Sequence, residues 1–155
     1  MIHRLIRELA EYEDALPEVA ASEDDLAAAL FGPDPAVFAH VGTEAAAAQD
    51  DGVVVGFALW FLNYSTWTGR HGIYLEDLYV TPAQRRSGLG RALLAELAAI
   101  CVRRGYARLE WNVLDWNAPS LAFYQAIGAE DLAAWRPHRL SGPALSALAG
   151  QAEPG

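Results

Sequence analysis

Along the first dozen residues the apolar positions Ile2, Leu5, Ile6 and Leu9 recur at helical spacing, which predicts an amphipathic helix over residues 2–13. A second, shorter helix is expected after Ser22, which has Asp25 three residues on, as in a capping box; Leu26 and Leu30 supply its apolar stripe and Gly32-Pro33 ends it. The period then changes to two. "AVFAHVG" and "VVVGFALWFL" are rich in β-branched and aromatic residues and predict two strands joined by a hairpin loop through "TEAAAAQDDG". A third strand is predicted from Ile73 to Val80, after the loop "NYSTWTGRHG". Leu89, Leu93, Leu97 and Ile100, with Ala92 and Cys101, return to helical spacing; Arg103 and Arg104 fall in the last turn, where the dipole favours cations, and Gly105 closes the element. Leu109, Trp111 and Val113 alternate with polar neighbours as a fourth strand, and Asn117-Ala118-Pro119 opens a helix that reaches Gly128. A weaker strand is expected from Trp135 to Leu140, and the tail after Ser141 reads as one helical turn followed by disorder.

This order of elements predicts an α/β chain with one mixed sheet flanked by helices, as a single domain over residues 1–142 with a short tail at 143–155. The composition agrees, since 155 residues of which 53% are hydrophobic suffice for one core. No uninterrupted apolar run approaches the ~18 residues that span a bilayer, so no membrane partner is expected. The N-terminus is amphipathic and acidic rather than a leader, and the expected location is the cytoplasm. The lone Cys101 fits a reducing compartment, reads as a small buried hydrophobe and removes cysteine-based metal sites. His3, His40, His71 and His138 fit no metal spacing, so no metal is expected. A formal net charge of −9 argues against a nucleic-acid partner and favours a cationic substrate. All eleven cationic residues are arginine.

Against that acidic background, Arg85, Arg86 and Arg91 gather around the two glycines of "RRSGLG" between a predicted strand and a predicted helix. A strand that passes through a Gly-rich turn into a helix brings unpaired backbone N–H groups and the positive end of a helix dipole to one point, which is an anion cradle. It is neither a P-loop nor a dinucleotide fingerprint, because no Gly-Lys-Ser/Thr follows and Leu93 stands where a third glycine would be. On the hexapeptide alone, a plain Gly-bearing connection with solvated arginines is an equal alternative.

The neighbouring blocks change that balance. The stretch resembles the acyl-CoA loop of the GNAT superfamily of N-acetyltransferases, Arg/Gln-x-x-Gly-x-Gly/Ala at a helix start, matched by Arg85, Gly88 and Gly90. "YLEDLYVTP", "LDWNAPSLAFYQAIGA", "IRELAEYED" and "NYSTWTGR" extend the likeness to the diamine acetyltransferase branch, nearer the thialysine type than the spermidine/spermine type, which has an acid at Ser65. The resemblance implies the acyl-CoA N-acyltransferase fold and acetyl-CoA as co-substrate. Its pyrophosphate would lie on the amides of Arg86, Ser87, Gly88, Leu89, Gly90 and Arg91, with Arg85 opening the motif, and its pantetheine arm would pair with Leu78, Tyr79 and Val80. Asn117 and Ser120 match further cofactor-contacting positions.

For catalysis, the resemblance implies Glu76 as the base, or the holder of a relay water, that frees the amine. The Leu78 amide is then the oxyanion donor, and Tyr124 the acid that protonates the thiolate. Asp77 is expected on the opposite face of a regular strand, unless a bulge intervenes. Tyr12 and Glu13 match acceptor-facing positions, Glu76 and Asp77 are expected on the substrate side with them, and Trp67 is expected to wall the amine pocket by cation–π contact. Arg136 replaces a glutamate of the diamine enzymes and would pair with an amino-acid carboxylate. The expected reaction is direct attack by a small primary amine on acetyl-CoA in a ternary complex. A protein or peptide N-acetyltransferase and a non-catalytic acyl-CoA-binding module remain as alternatives. Family members usually begin with a strand ahead of the first helix, whereas Met1 already lies inside that helix pattern. The first edge strand is therefore expected to be missing, with its edge left open, covered by a dimer partner, or supplied by a start further upstream, and a homodimer is expected.

Overall fold

The structure is a computed structural model in which residues 1–44 and 52–152 are described. Most of the expected hairpin loop "TEAAAAQDDG" lies outside the described residues. The chain forms two compact units, residues 1–112 and residues 113–155.

In the first unit, Ile2–Tyr12 form α1 and Glu23–Phe31 form α2. The capping box closes as its sequence implies: the Asp25 amide donates to Ser22 Oγ at 3.1 Å, and the Ser22 amide donates to Asp25 Oδ2 at 2.9 Å. The Ser22 hydroxyl first, then the Ser22 amide, hold the Asp25 carboxyl below its ordinary pKa. Four strands follow in the order β1 (Phe38–Glu44), β2 (Val53–Ser65), β3 (Arg70–Val80) and β4 (Leu109–Glu110), the first three antiparallel and β4 parallel to β3. Leu89–Arg104 form α3, closed by Gly105 at φ 66° with Arg103 and Arg104 in its last turn.

Each face of the sheet has its own cover. Phe57, Leu59 and Tyr79 are buried with Leu5, and Ile2, Ile6, Leu9 and Leu26 pack on them, so α1 and α2 close one side. Gly56 points the opposite way, where an added Cβ would come within 3.0 Å of the Leu89 side chain, so α3 covers the other side. β1 is the edge of the sheet, with β2 as its neighbour among the described residues.

Several boundaries differ from expectation. β2 and β3 extend through residues read as loop, pairing Tyr64 with His71 and Ser65 with Arg70, because the ladder and the Tyr64–His71 edge contact at 5.2 Å hold polar residues in strand geometry. The fourth strand shrinks to two residues, since Ile73 and Tyr74 are its only partners and apolar alternation without a ladder does not make a strand.

In the second unit, Ala118–Ala126 form α4, and no strand forms from Trp135 to Leu140. The tail carries α5 (Gly142–Ala149), eight residues with Pro in the first turn, rather than a single turn; its Ala and Leu are strong helix formers.

Candidate active site

The turn from β3 to α3 has the geometry its glycines imply. Gly88 sits at φ 93°, and Arg86 takes the left-handed region at φ 67° without being glycine. The two left-handed residues turn the backbone sharply ahead of α3, the Ser87 amide donates to the Gln84 carbonyl at 3.4 Å, and the first-turn amides of α3 have no intrahelical acceptor. An added Cβ at Gly88 would meet nothing within 4 Å, and one at Gly90 would meet only Val80 Cγ2 at 3.8 Å. Packing therefore does not require a glycine at Gly90; the open space beside it suits an approaching ligand. Arg86, Ser87 and Arg91 are exposed along the loop, Leu89 is half-buried, and Ser87 Oγ accepts from the Leu89 amide at 3.3 Å.

The strand that feeds the loop is open along one edge. β4 pairs with β3 only at Ile73 and Tyr74, so among the described residues no strand lies beside Leu75–Val80 on that side. Leu78, Tyr79 and Val80 thus offer backbone on which an extended, amide-bearing arm can pair, as the resemblance implies. The cradle and the open edge together fit a pyrophosphate followed by a pantetheine.

The register of β3 answers which acid faces which way. Leu59 pairs with Asp77 and Trp60 with Leu75, so Glu76 is the extra residue of a β-bulge. The bulge resets the alternation: Leu75 shares the face of Trp60, whereas Asp77 shares the face of Leu59 and Tyr79, the side that α1 covers. A regular strand would have kept Asp77 with Leu75. Glu76 is exposed and Asp77 is half-buried. Burial first, then the charges of Glu76 and Glu13, push the Asp77 carboxyl from 3.8 to about 6. Burial also raises Glu13, which caps the C-terminus of α1. Glu13, Glu76 and Asp77 therefore form one acidic group beside the start of the cradle.

The adjoining cleft, about 340 Å³, is lined by Glu8, Glu11, Tyr12, Tyr79, Pro82 and Arg85. The Arg85 guanidinium lies over the Tyr12 ring at 4.9 Å and near that of Tyr79 at 5.8 Å, and its Nε donates to the Val80 carbonyl at 3.2 Å. Tyr79 donates its hydroxyl to Glu8 Oε2 at 3.3 Å, and burial with the Glu8 charge raises its pKa. Glu8 was not singled out by sequence; its position one helical turn before Tyr12 was the available signal.

Trp67 and Ser65 are not brought to this group. Trp67 is 88% exposed in the turn between β2 and β3. The six strand steps from Arg70 to Glu76 place it roughly 20 Å along the sheet. Ser65 is buried, and its hydroxyl accepts from the Thr68 amide at 3.3 Å, a turn-closing role.

In the second unit, Asn117 caps α4 by accepting the Ser120 amide on Oδ1 at 3.3 Å, and it is buried. Asn117, Ser120 and Tyr124 recur at helical spacing on one face of α4, with the Phe123 and Tyr124 rings 5.4 Å apart. Arg136 is exposed. The histidines have local roles: His3 contacts the Ala21 carbonyl, His40 accepts from Trp60 Nε1, and His71 contacts the Asn63 carbonyl.

Comparison with known proteins places the chain in a family. Residues 3–129 match the acetyltransferase (GNAT) family. A thialysine N-epsilon-acetyltransferase of Bos taurus is 41% identical over 155 aligned positions, covering 97% of this chain and 91% of that protein. An L-ornithine N5-acetyltransferase of Arabidopsis thaliana is 41% identical over 99 positions, covering 64% of this chain and 43% of that protein. An integron cassette protein from the mobile metagenome of V. cholerae has a structure similar to this one with a TM-score of 0.76 and 28% identity, over 96% of this chain and 89% of that one. The chain belongs to the GNAT family of acetyltransferases, in the diamine and thialysine-type branch that its motifs resemble.

Proposed function

We propose that the protein moves the acetyl group of acetyl-CoA to a primary amine of a small molecule by direct attack in a ternary complex. The observation that carries this reading is the meeting, within one unit, of an anion cradle, an open strand edge and the acidic group of Glu13, Glu76 and Asp77. The preferred acceptor is an amino-acid-like amine such as thialysine or a lysine analogue. That choice is supported by the names of the thialysine and ornithine relatives and by Ser65 in place of an acid. Di- and polyamines are the second choice.

An alkyl ammonium has a pKa near ~10.4 and must lose a proton before it attacks. Asp77, rather than the exposed Glu76, is the better acceptor. At about 6 it is ionised at neutral pH, and it takes a proton roughly 100-fold more favourably than a carboxylate at 3.8 would. Glu76 and Glu13 hold that basicity up and attract the cation. The amine nitrogen bonds to the thioester carbon, the Leu78 amide is the proposed donor to the oxyanion, and the carbon–sulfur bond then breaks. Tyr124 is assigned the proton that goes to the departing thiolate, and the second proton lost by the acylated nitrogen restores the Tyr124 hydroxyl, so that the amide, the free thiol and one proton on Asp77 result. Arg136 is left without an assigned role.

We read the enzyme as a cytoplasmic homodimer. The family resemblance and the open edge of β1 support the dimer, and the buried Cys101 thiol fits the compartment. Among the described residues no helix is long and apolar enough to cross a membrane. The test is thiol release from acetyl-CoA across a panel of lysine analogues, ornithine, diamines, polyamines and lysine-bearing peptides. Turnover on the small amines is expected; acetyl-CoA binding without turnover on any amine would leave only a binding module.

A further inference from the structure

The Arg85 side chain does something that its place at the head of the loop motif does not require. Its backbone leads into the cradle, yet its guanidinium lies against α1, over the ring of Tyr12, and its Nε is bonded to the last carbonyl of β3. Tyr12 is the last residue of α1, and Glu13, its C-cap, is one of the charges acting on Asp77. Tyr79, the second ring near Arg85, is buried in the sheet and donates to Glu8, one turn earlier on α1. One guanidinium therefore joins three parts: the root of the cofactor loop, the end of β3, and the end of the helix that carries the acceptor-side residues. A planar cation suits this place, since it can stack on aromatic faces while its Nε–H serves the carbonyl.

We infer that Arg85 is a positioning residue that fixes the Tyr12–Glu13 end of α1 against the cofactor loop, so that the amine site is held in place by the loop rather than by the helix alone. The inference rests on the acetyltransferase reading for its kinetic consequence but not for its mechanical one. The pyrophosphate is assigned to the backbone amides from Arg86 to Arg91, so loss of the Arg85 side chain should act mainly on the amine.

The test uses Arg85→Met, which keeps length without charge or Nε–H, and Arg85→Lys, which keeps the charge over the ring but not the planar fork. With acetyl-CoA saturating, Arg85→Met should raise the amine KM about tenfold or more and leave kcat and the acetyl-CoA Kd within about threefold. Arg85→Lys should recover most of the loss. Hydrogen exchange on the ligand-free protein gives an independent reading: the Glu13 and Ala15 amides, bonded to the Leu9 and Ala10 carbonyls, should exchange several-fold faster in Arg85→Met than in wild type. Unchanged exchange at these amides in a folded variant would overturn the inference even if the wild type is active. So would a tenfold loss of acetyl-CoA affinity with the amine KM unchanged, which would make Arg85 a direct cofactor ligand. A wild type that turns over no amine would instead sink the acetyltransferase reading and leave the exchange result to decide the clamp.

Discussion

At the hairpin end of β3, most polar side chains have partners at hand: Ser65 accepts from the Thr68 amide, His71 meets the Asn63 carbonyl, and Glu110 accepts from Asn63 Nδ2 at 2.6 Å and forms an ion pair with Arg108 at 2.8 Å. At the loop end of the same strand, Asp77 is half-buried among like charges that push its pKa up to about 6. The first arrangement holds the turn mostly through paired groups, although among the described residues Asn63 Oδ1 is buried without a hydrogen-bond partner. The second keeps a carboxylate basic against its own solvation, which is unfavourable for folding and useful for taking a proton. A one-residue bulge separates them: without Glu76 as the extra residue, Asp77 would lie on the α3 face with Leu75.

The largest effect is expected at the loop. Gly90→Asp fits the backbone without strain, because its Cβ would meet only Val80 at 3.8 Å, so any effect reports on the ligand. A carboxylate within about 4 Å of a phosphate costs about 4 kcal/mol at an effective dielectric constant of 20, so acetyl-CoA affinity by calorimetry should fall at least about 100-fold. Wild-type affinity in this variant would mean that the turn is not the cradle. Next in size is Tyr124→Phe, which keeps the ring and should lower kcat by about 10²-fold, the low end for a positioned acid, with acetyl-CoA affinity nearly unchanged. A rate above half that of wild type, with chemistry rate-limiting, would make Tyr124 a packing residue. Trp67→Ala, at the hairpin end, should change the amine KM by less than about threefold; a larger change would show that the hairpin turn reaches an acceptor site.

Much of this was legible in the sequence, for physical reasons that differ by element. Ser22 and Asp25 announced α2 because a capping box is a local bond pair, and Gly88, Gly90 and Gly105 announced the two ends of α3 because backbone freedom is written in residue type. The extent of β4 was not legible, since alternation at Leu109, Trp111 and Val113 cannot say where β3 stops offering a ladder. α5 was underread because small residues next to Pro143 look like a tail until their helix propensity is summed. Within the site, the glycine loop and the acidic pair were visible as residue types. Which acid faced α1 was not, because a bulge depends on the register of β2 against β3, a relation between distant segments. The Arg85–Tyr12 contact was hidden for the same reason, as it joins residues 73 positions apart in sequence.

The central claim is that the bulge makes Asp77 the proton acceptor, and the most direct measurement is kcat/KM for the amine as a function of pH in wild type, Asp77→Asn and Glu76→Gln. A carboxylate whose pKa is raised is basic only above that value, so wild-type activity should fall as pH drops through about 6, in addition to the limb set by ionisation of the amine itself. Asp77→Asn should lose the limb near 6, fall by about 10²- to 10³-fold at pH 7, and recover partly toward the amine pKa, where deprotonation needs no help. Glu76→Gln should keep the limb, moved to lower pH because a like charge has been removed, with a loss of less than about tenfold. If instead Glu76→Gln abolished the limb and Asp77→Asn left it in place, the proton would go to the bulge residue, and the assignment of Asp77 would be wrong.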